Sequence, residues 1–160
     1  MGRVLRLAAA GVAALACAAP AAAHTDNGRG LSLEWPANGV VTRGFGYDGP
    51  EFHEGIDIGT LRSLDVAAAA PGTVELTGYA IGYEGYGQIV LVDLGDGIEA
   101  LYAHLSSVGV ATGDRVVTGQ RLGLAGCTGI CSGTHLHFEL RDVGEAFDPA
   151  PLLPGIIPEL

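Results

Sequence analysis

The sequence predicts an all-β domain, mainly antiparallel and sheet- or barrel-like, and three observations predict it. Beyond the first thirty or so residues, apolar side chains come in short runs of two to eight. Those runs are rich in β-branched residues and show little helical periodicity. The 26 glycines sit singly between runs, as at Gly72, Gly87, Gly95, Gly97, Gly113, Gly119 and Gly123, where turns and bulges need positive φ.

Taken in order, residues 1–23 read as a secretory signal peptide. Arg3 and Arg6 precede an Ala-rich apolar run from Leu7 to about Ala19, and small residues lead to cleavage after Ala23. The run is too short to span a bilayer comfortably, and no later stretch reaches the roughly 20 apolar residues a transmembrane helix needs. Cys17 raises a rival, a lipidated N-terminus, but Ala14 three residues before it fits that signal poorly. Residues 24–32 are polar and Gly-rich and read as a flexible leader, with His24 a solvated residue. Residues 33–153 form the expected domain. Its strand-like runs include Val40–Val41, Asp65–Ala70, Thr73–Leu76, Gln88–Leu94, Glu99–Leu105, Arg115–Val117 and His135–Leu140. Pro149, Pro151, Pro154 and Pro158 close the chain, with residues 154–160 as a tail that packs as an extended strap or hangs free.

Charge narrows the function classes. The formal net charge is −10, or −12 once Arg3 and Arg6 leave with the signal, and lysine is absent. Such a surface repels nucleic acid and anionic membranes. The expected product is a secreted or periplasmic monomer.

Four of the five histidines and one aspartate fall in three short strings. In His135-Leu136-His137-Phe138-Glu139-Leu140, strand alternation puts both imidazoles on one face and the apolar residues on the other. In His53-Glu54-Gly55-Ile56-Asp57, Gly55 between Glu54 and Ile56 disfavours a helix, so an extended segment turns His53 and Asp57 one way and Glu54 the other. Glu54 is then a solvated charge rather than a base. His104 ends the run Ile98–His104, whose alternation puts it on a face with Tyr102. Any one histidine alone is as well explained as a satisfied structural residue. Together they supply what a catalytic zinc needs: three nitrogen or oxygen ligands, with further groups to move protons.

Several of these strings resemble one family. Trp35-Pro36, Gly44-Phe45-Gly46, Phe52-His53-Glu54-Gly55-Ile56-Asp57-Ile58, Leu101-Tyr102-Ala103-His104-Leu105, Gly113-Asp114-Arg115-Val116 with Gly119-Gln120, and Gly133-Thr134-His135-Leu136-His137-Phe138-Glu139 are similar to the lysostaphin/LytM-type zinc metalloendopeptidases of peptidoglycan. The likeness runs from about Leu33 to Leu153 and implies a duplicated-hybrid-motif-like β fold. It implies that His53, Asp57 and His137 bind Zn2+, that His104 and His135 are catalytic, and that the substrate is a peptidoglycan peptide. Tyr47, six residues before His53, matches the family's helper tyrosine. Thr134 departs from the proline that often precedes the His-x-His string. Asn38 and Arg43 lie near the same segment without an assigned role. The segment from Gly78 to Gly87, with Tyr79, Tyr83 and Tyr86, is expected to line a substrate groove or to cover a sheet edge.

Three other readings compete. Cys127 and Cys131 with His135 and His137 could form a closed structural zinc site, but that leaves His53, Asp57 and His104 idle. Secretion favours a Cys127–Cys131 disulfide, worth about 2 kcal/mol through chain entropy and holding the loop before His135. Gly113–Gln120 looks like the turn of biotinyl and lipoyl carriers, which require a lysine. The third is a non-catalytic regulator of other wall hydrolases.

Overall fold

The computed structural model describes residues 30–155. The signal peptide, Cys17, His24 and the last five tail residues lie outside the described residues. Residues 30–155 form thirteen strands and two single 3-10 turns, Glu84–Tyr86 and Ala150–Leu152, and no helix among the described residues is long and apolar enough to cross a membrane. The strands are β1 (Val40–Arg43), β2 (Gly46–Asp48), β3 (Glu51–His53), β4 (Ile56–Gly59), β5 (Asp65–Ala67), β6 (Gly72–Tyr79), β7 (Gln88–Gly95), β8 (Ile98–Leu105), β9 (Ser107–Val108), β10 (Arg115–Val116), β11 (Arg121–Leu124), β12 (Leu136–Asp142) and β13 (Glu145–Phe147).

One antiparallel sheet carries the molecule, in the order β1-β4-β12-β8-β7-β6-β10, with β13 added beside β12. A three-stranded sheet, β5-β11-β9, and the β2-β3 hairpin complete it. Each expected run lies in or overlaps a strand. The short β9, β11 and β13 carry too few alternating residues to stand out from the surrounding turns.

Alternation along β12 divides the two faces. Leu136, Phe138 and Leu140 enter the main core with Ile56 and Ile58 of β4, Val90 and Val92 of β7, and Ala100 and Tyr102 of β8. A buried side chain of Phe138's size typically costs about 3–5 kcal/mol when truncated to alanine. Tyr102 keeps its hydroxyl satisfied by accepting from the Ala69 amide at 2.8 Å. The sheet's other face has a small second core, Ile89, Leu91, Leu101 and Ala103, covered by Ala80, Tyr83 and Tyr86. The 79–87 segment therefore covers a sheet face rather than an edge.

Both ends of the domain are packed. Leu31, within the expected flexible leader, rests on the core, and Leu152 and Leu153 are buried in it. Trp35 Nε1 donates to the Pro154 carbonyl at 2.9 Å. Between Pro149 and Leu153 the chain packs through a 3-10 turn.

Candidate metal centre and active site

β4 and β12 pair antiparallel with Asp57 opposite His137, which places one carboxylate and one imidazole side by side on the sheet's outer face. His53 ends β3, and the chain breaks at Glu54–Gly55 before β4 begins. Gly55 is required there, because a Cβ would collide with the Phe138 carbonyl of β12. That close approach brings His53 beside Asp57 although the two are not on one continuous strand.

Three ligand atoms converge. His53 Nε2 lies 3.1 Å from Asp57 Oδ1, His137 Nδ1 lies 2.8 Å from the same oxygen, and the two ring nitrogens are 3.0 Å apart. Only this trio among the described residues groups three such atoms, all within 4.8 Å of one another. Two imidazoles and one carboxylate suit a zinc ion that keeps a position open. The far nitrogen of each ligand ring is anchored. His53 Nδ1 donates to the Gly44 carbonyl at 2.7 Å, and His137 Nε2 donates to Glu139 Oε1 at 2.8 Å. Such anchors turn the opposite nitrogens toward the metal.

Electrostatics follow from this crowding. Burial works against the Asp57 carboxylate, but the His137 hydrogen bond and the charges of His137, His53 and His135 outweigh it and lower its pKa. Burial also opposes a charged His137, yet bonds to Asp57 and Glu139 prevail and raise it to about 9 in the metal-free protein.

His104 and His135 stand next to this trio. Their rings are 4.7 Å apart, and His104 is 5.8 Å from the His137 ring. His135 precedes β12 through an isolated bridge to Gly126, and its Nε2 is 3.6 Å from Asp57 Oδ1. Each is held by its Nδ1, His104 donating to the Thr128 carbonyl at 2.8 Å and His135 to the Gly133 carbonyl at 2.7 Å. Burial, together with the charges of His135 and His137, lowers the His104 pKa despite the Thr128 bond.

The alternation expected for His104 fails. Tyr102 enters the core while His104 reaches the outer face, because His104 adopts φ +60° in a bulge of β8, where Ala103 and His104 together face Ile89 of β7. Left-handed backbone is uncommon for a residue with a side chain and is kept only where the surroundings impose it.

The loop from 125 to 135 does so. Cys127 and Cys131 are paired across it. Thr128 Oγ1 donates to the Leu105 carbonyl and accepts from the Gln88 amide, while Ile130 N donates to the Gly85 carbonyl. Gly129, at φ +74°, fits because it has no Cβ to strike Gly87.

All five residues line one cleft of about 690 Å3, whose lining also includes Arg43, Phe52, Tyr86 and Ile130. Tyr47 is not brought among the histidines. It is 79% exposed on the β2-β3 hairpin, edge-on to Phe52 at 5.1 Å. Asn38 accepts from Arg62 at 3.0 Å on the surface. Glu54 is not merely solvated, since it accepts from the Tyr86 hydroxyl at 3.1 Å. Sequence reasoning gave no role to Glu139 or Arg141, although continuing the His135/His137 alternation two and four residues further reaches both.

Residues 51–149 match the model of peptidase family M23. The chain belongs to peptidase family M23. Among relatives, this M23 chain is 38% identical over 97 residues to the DD-carboxypeptidase/endopeptidase Mpg of Neisseria meningitidis, covering 61% of the chain and 22% of Mpg. It is 33% identical over 136 residues to the murein hydrolase activator NlpD of Salmonella typhimurium, covering 84% of the chain and 35% of NlpD. The catalytic domain of the prophage-encoded M23 protein EnpA from Enterococcus faecalis superposes with a TM-score of 0.64 at 30% identity. That match covers 69% of the chain and 88% of the EnpA domain. The chain therefore spans about a third or less of these two relatives. Membership places the chain with peptidases at the level of the family, and the His53/Asp57/His137 cluster is a set that could bind a metal.

Proposed function

We propose that the protein is a secreted zinc endopeptidase that cleaves peptide bonds in bacterial peptidoglycan, in its stems or cross-bridges. The observation carrying this reading is the convergence of His53 Nε2, Asp57 Oδ1 and His137 Nδ1 beside two carbonyl-anchored histidines in one cleft. His53, Asp57 and His137 would hold zinc, which would supply Lewis acidity toward the scissile carbonyl and toward a water whose pKa it would lower to about 7. The catalytic work of this chain falls to His104 and His135. With Nδ1–H donated to a carbonyl, each ring directs Nε2 into the cleft, where it can take a proton from the attacking water or give one to the departing amine. A lowered pKa keeps His104 neutral at pH 7, ready to accept a proton. Asp57 offsets one of zinc's two charges. Tyr47 and Phe52 meet the substrate from the rim.

The match to NlpD favours a second reading, a regulator of other wall hydrolases. One experiment separates the two: metal analysis of the purified protein alongside release of soluble peptide from peptidoglycan. One zinc per chain with release supports the endopeptidase. One zinc with no release from any wall type supports the regulator. A folded protein that takes up no zinc overturns the metalloenzyme.

A further inference from the structure

Glu139 is fully buried, with an ionisable side chain in the floor of the cleft. A buried carboxylate is costly unless each oxygen finds a donor. Here Oε1 accepts from His137 Nε2 at 2.8 Å and Oε2 accepts from Arg141 Nε at 2.7 Å. Both oxygens are thus engaged by neighbouring side chains, and the carboxylate is closed off from solvent.

Arg141 extends the chain of contacts. Its Nη1 donates to the Tyr83 hydroxyl at 3.3 Å and its Nη2 to the Tyr86 hydroxyl at 3.2 Å, with the guanidinium 5.4 Å and 5.8 Å from their ring centres. Tyr86 in turn donates to Glu54 Oε2, and its ring lies 5.6 Å from that of His137. One planar guanidinium thus serves three acceptors from three separate nitrogens in a fixed fork, a spread that the single nitrogen of an ammonium does not reproduce. Its charge also offsets that of Glu139.

We infer that Glu139 and Arg141 are positioning residues of the metal centre. Glu139 sets the His137 ring with Nδ1 toward the metal. Arg141 locks Glu139 and ties it to Tyr83 and Tyr86, so that the metal centre and the cleft-lining 79–87 segment form one mechanical unit. The inference rests on the zinc reading above.

The test is an equilibrium zinc competition against a chromophoric chelator, with the visible spectrum of the cobalt(II)-substituted protein as a second readout. Thermal midpoints of the metal-free forms check folding. Glu139→Gln keeps size but presents an amide to Arg141, donor against donor. It should weaken zinc about 10- to 100-fold, the usual effect of losing such an outer partner, and shift the cobalt spectrum. Arg141→Lys and the pair Tyr83→Phe with Tyr86→Phe should weaken zinc by smaller factors, at least twofold, in proteins that keep all three ligands. A merely structural role would lower the metal-free midpoint and leave zinc affinity and the cobalt spectrum unchanged, which would overturn the inference. If Glu139→Gln does not fold, the Arg141 and tyrosine variants decide, and wild-type zinc affinity in both overturns it. Absence of zinc from folded wild type would instead remove the metal reading itself.

Discussion

The two halves of the site are built differently. The metal wall stands on or beside paired strands, with Asp57 and His137 opposite each other on β4 and β12 and core residues packed directly behind them. The half proposed to handle protons hangs on a loop: His104 and His135 sit at strand ends, each pinned by one backbone carbonyl of the 125–135 segment. A metal demands fixed ligand distances, which a sheet provides. Histidines that exchange protons need only be aimed, and a clasped loop suffices. The anchors differ in part along the same line: His137 has carboxylate partners, whereas His104 and His135, like His53, are held by neutral backbone carbonyls.

The largest test of this division is to remove a metal ligand. Asp57→Ala or His137→Ala should lose zinc, read by metal analysis, and reduce peptide release to background. Retention of a full zinc in either would break the assignment. Next come His104→Ala and His135→Ala, expected to keep one zinc per chain and lose roughly 10²–10⁴-fold in kcat. Loss of zinc from either would merge the two halves.

A smaller effect should follow from unlocking the loop. Replacing both Cys127 and Cys131 with serine should cost about 2 kcal/mol in urea unfolding. Because Thr128 sits inside that loop and holds His104, kcat should fall by a larger factor than zinc affinity does. Equal losses would mean the loop also shapes the metal wall.

The smallest effect is in pH, where the halves oppose one another in the metal-free protein. The folded pKa of His104 is lowered, so the unfolded chain takes up that proton first and stability falls as pH drops below about 6.5. The folded pKa of His137 is raised to about 9, so its contribution is fully present below about 6.5 and is lost as pH rises through 9. Urea midpoints of the metal-free protein should therefore peak near pH 6.5. His104→Asn should flatten the acid limb alone, and an unchanged acid limb would remove His104 as its source.

Legibility in the sequence followed regularity. His135, His137, Glu139 and Arg141 share a face because β12 is an unbroken strand with alternating apolar partners, so half of the site could be read directly. Glu139 was on that face without a visible role, because only its neighbours show that both oxygens are engaged. His53 and Asp57 were paired by an extended segment that the fold breaks at Gly55, and the pairing holds because β12 presses against that break. His104 defeated alternation altogether, since its φ of +60° is imposed by hydrogen bonds from residues more than twenty positions away. Tyr47 was placed by resemblance, and the β2-β3 hairpin carries it to the rim.

By itself the sequence determined an antiparallel β domain and the donor set, because alternation, turn glycines and residue chemistry are local properties. Only the tertiary structure decided which nitrogen of each imidazole faces the cleft, what anchors the other, and that Glu139 and Arg141 bind His137 to the 79–87 segment. Those choices depend on contacts between strands and loops far apart in the chain, and no local pattern encodes them.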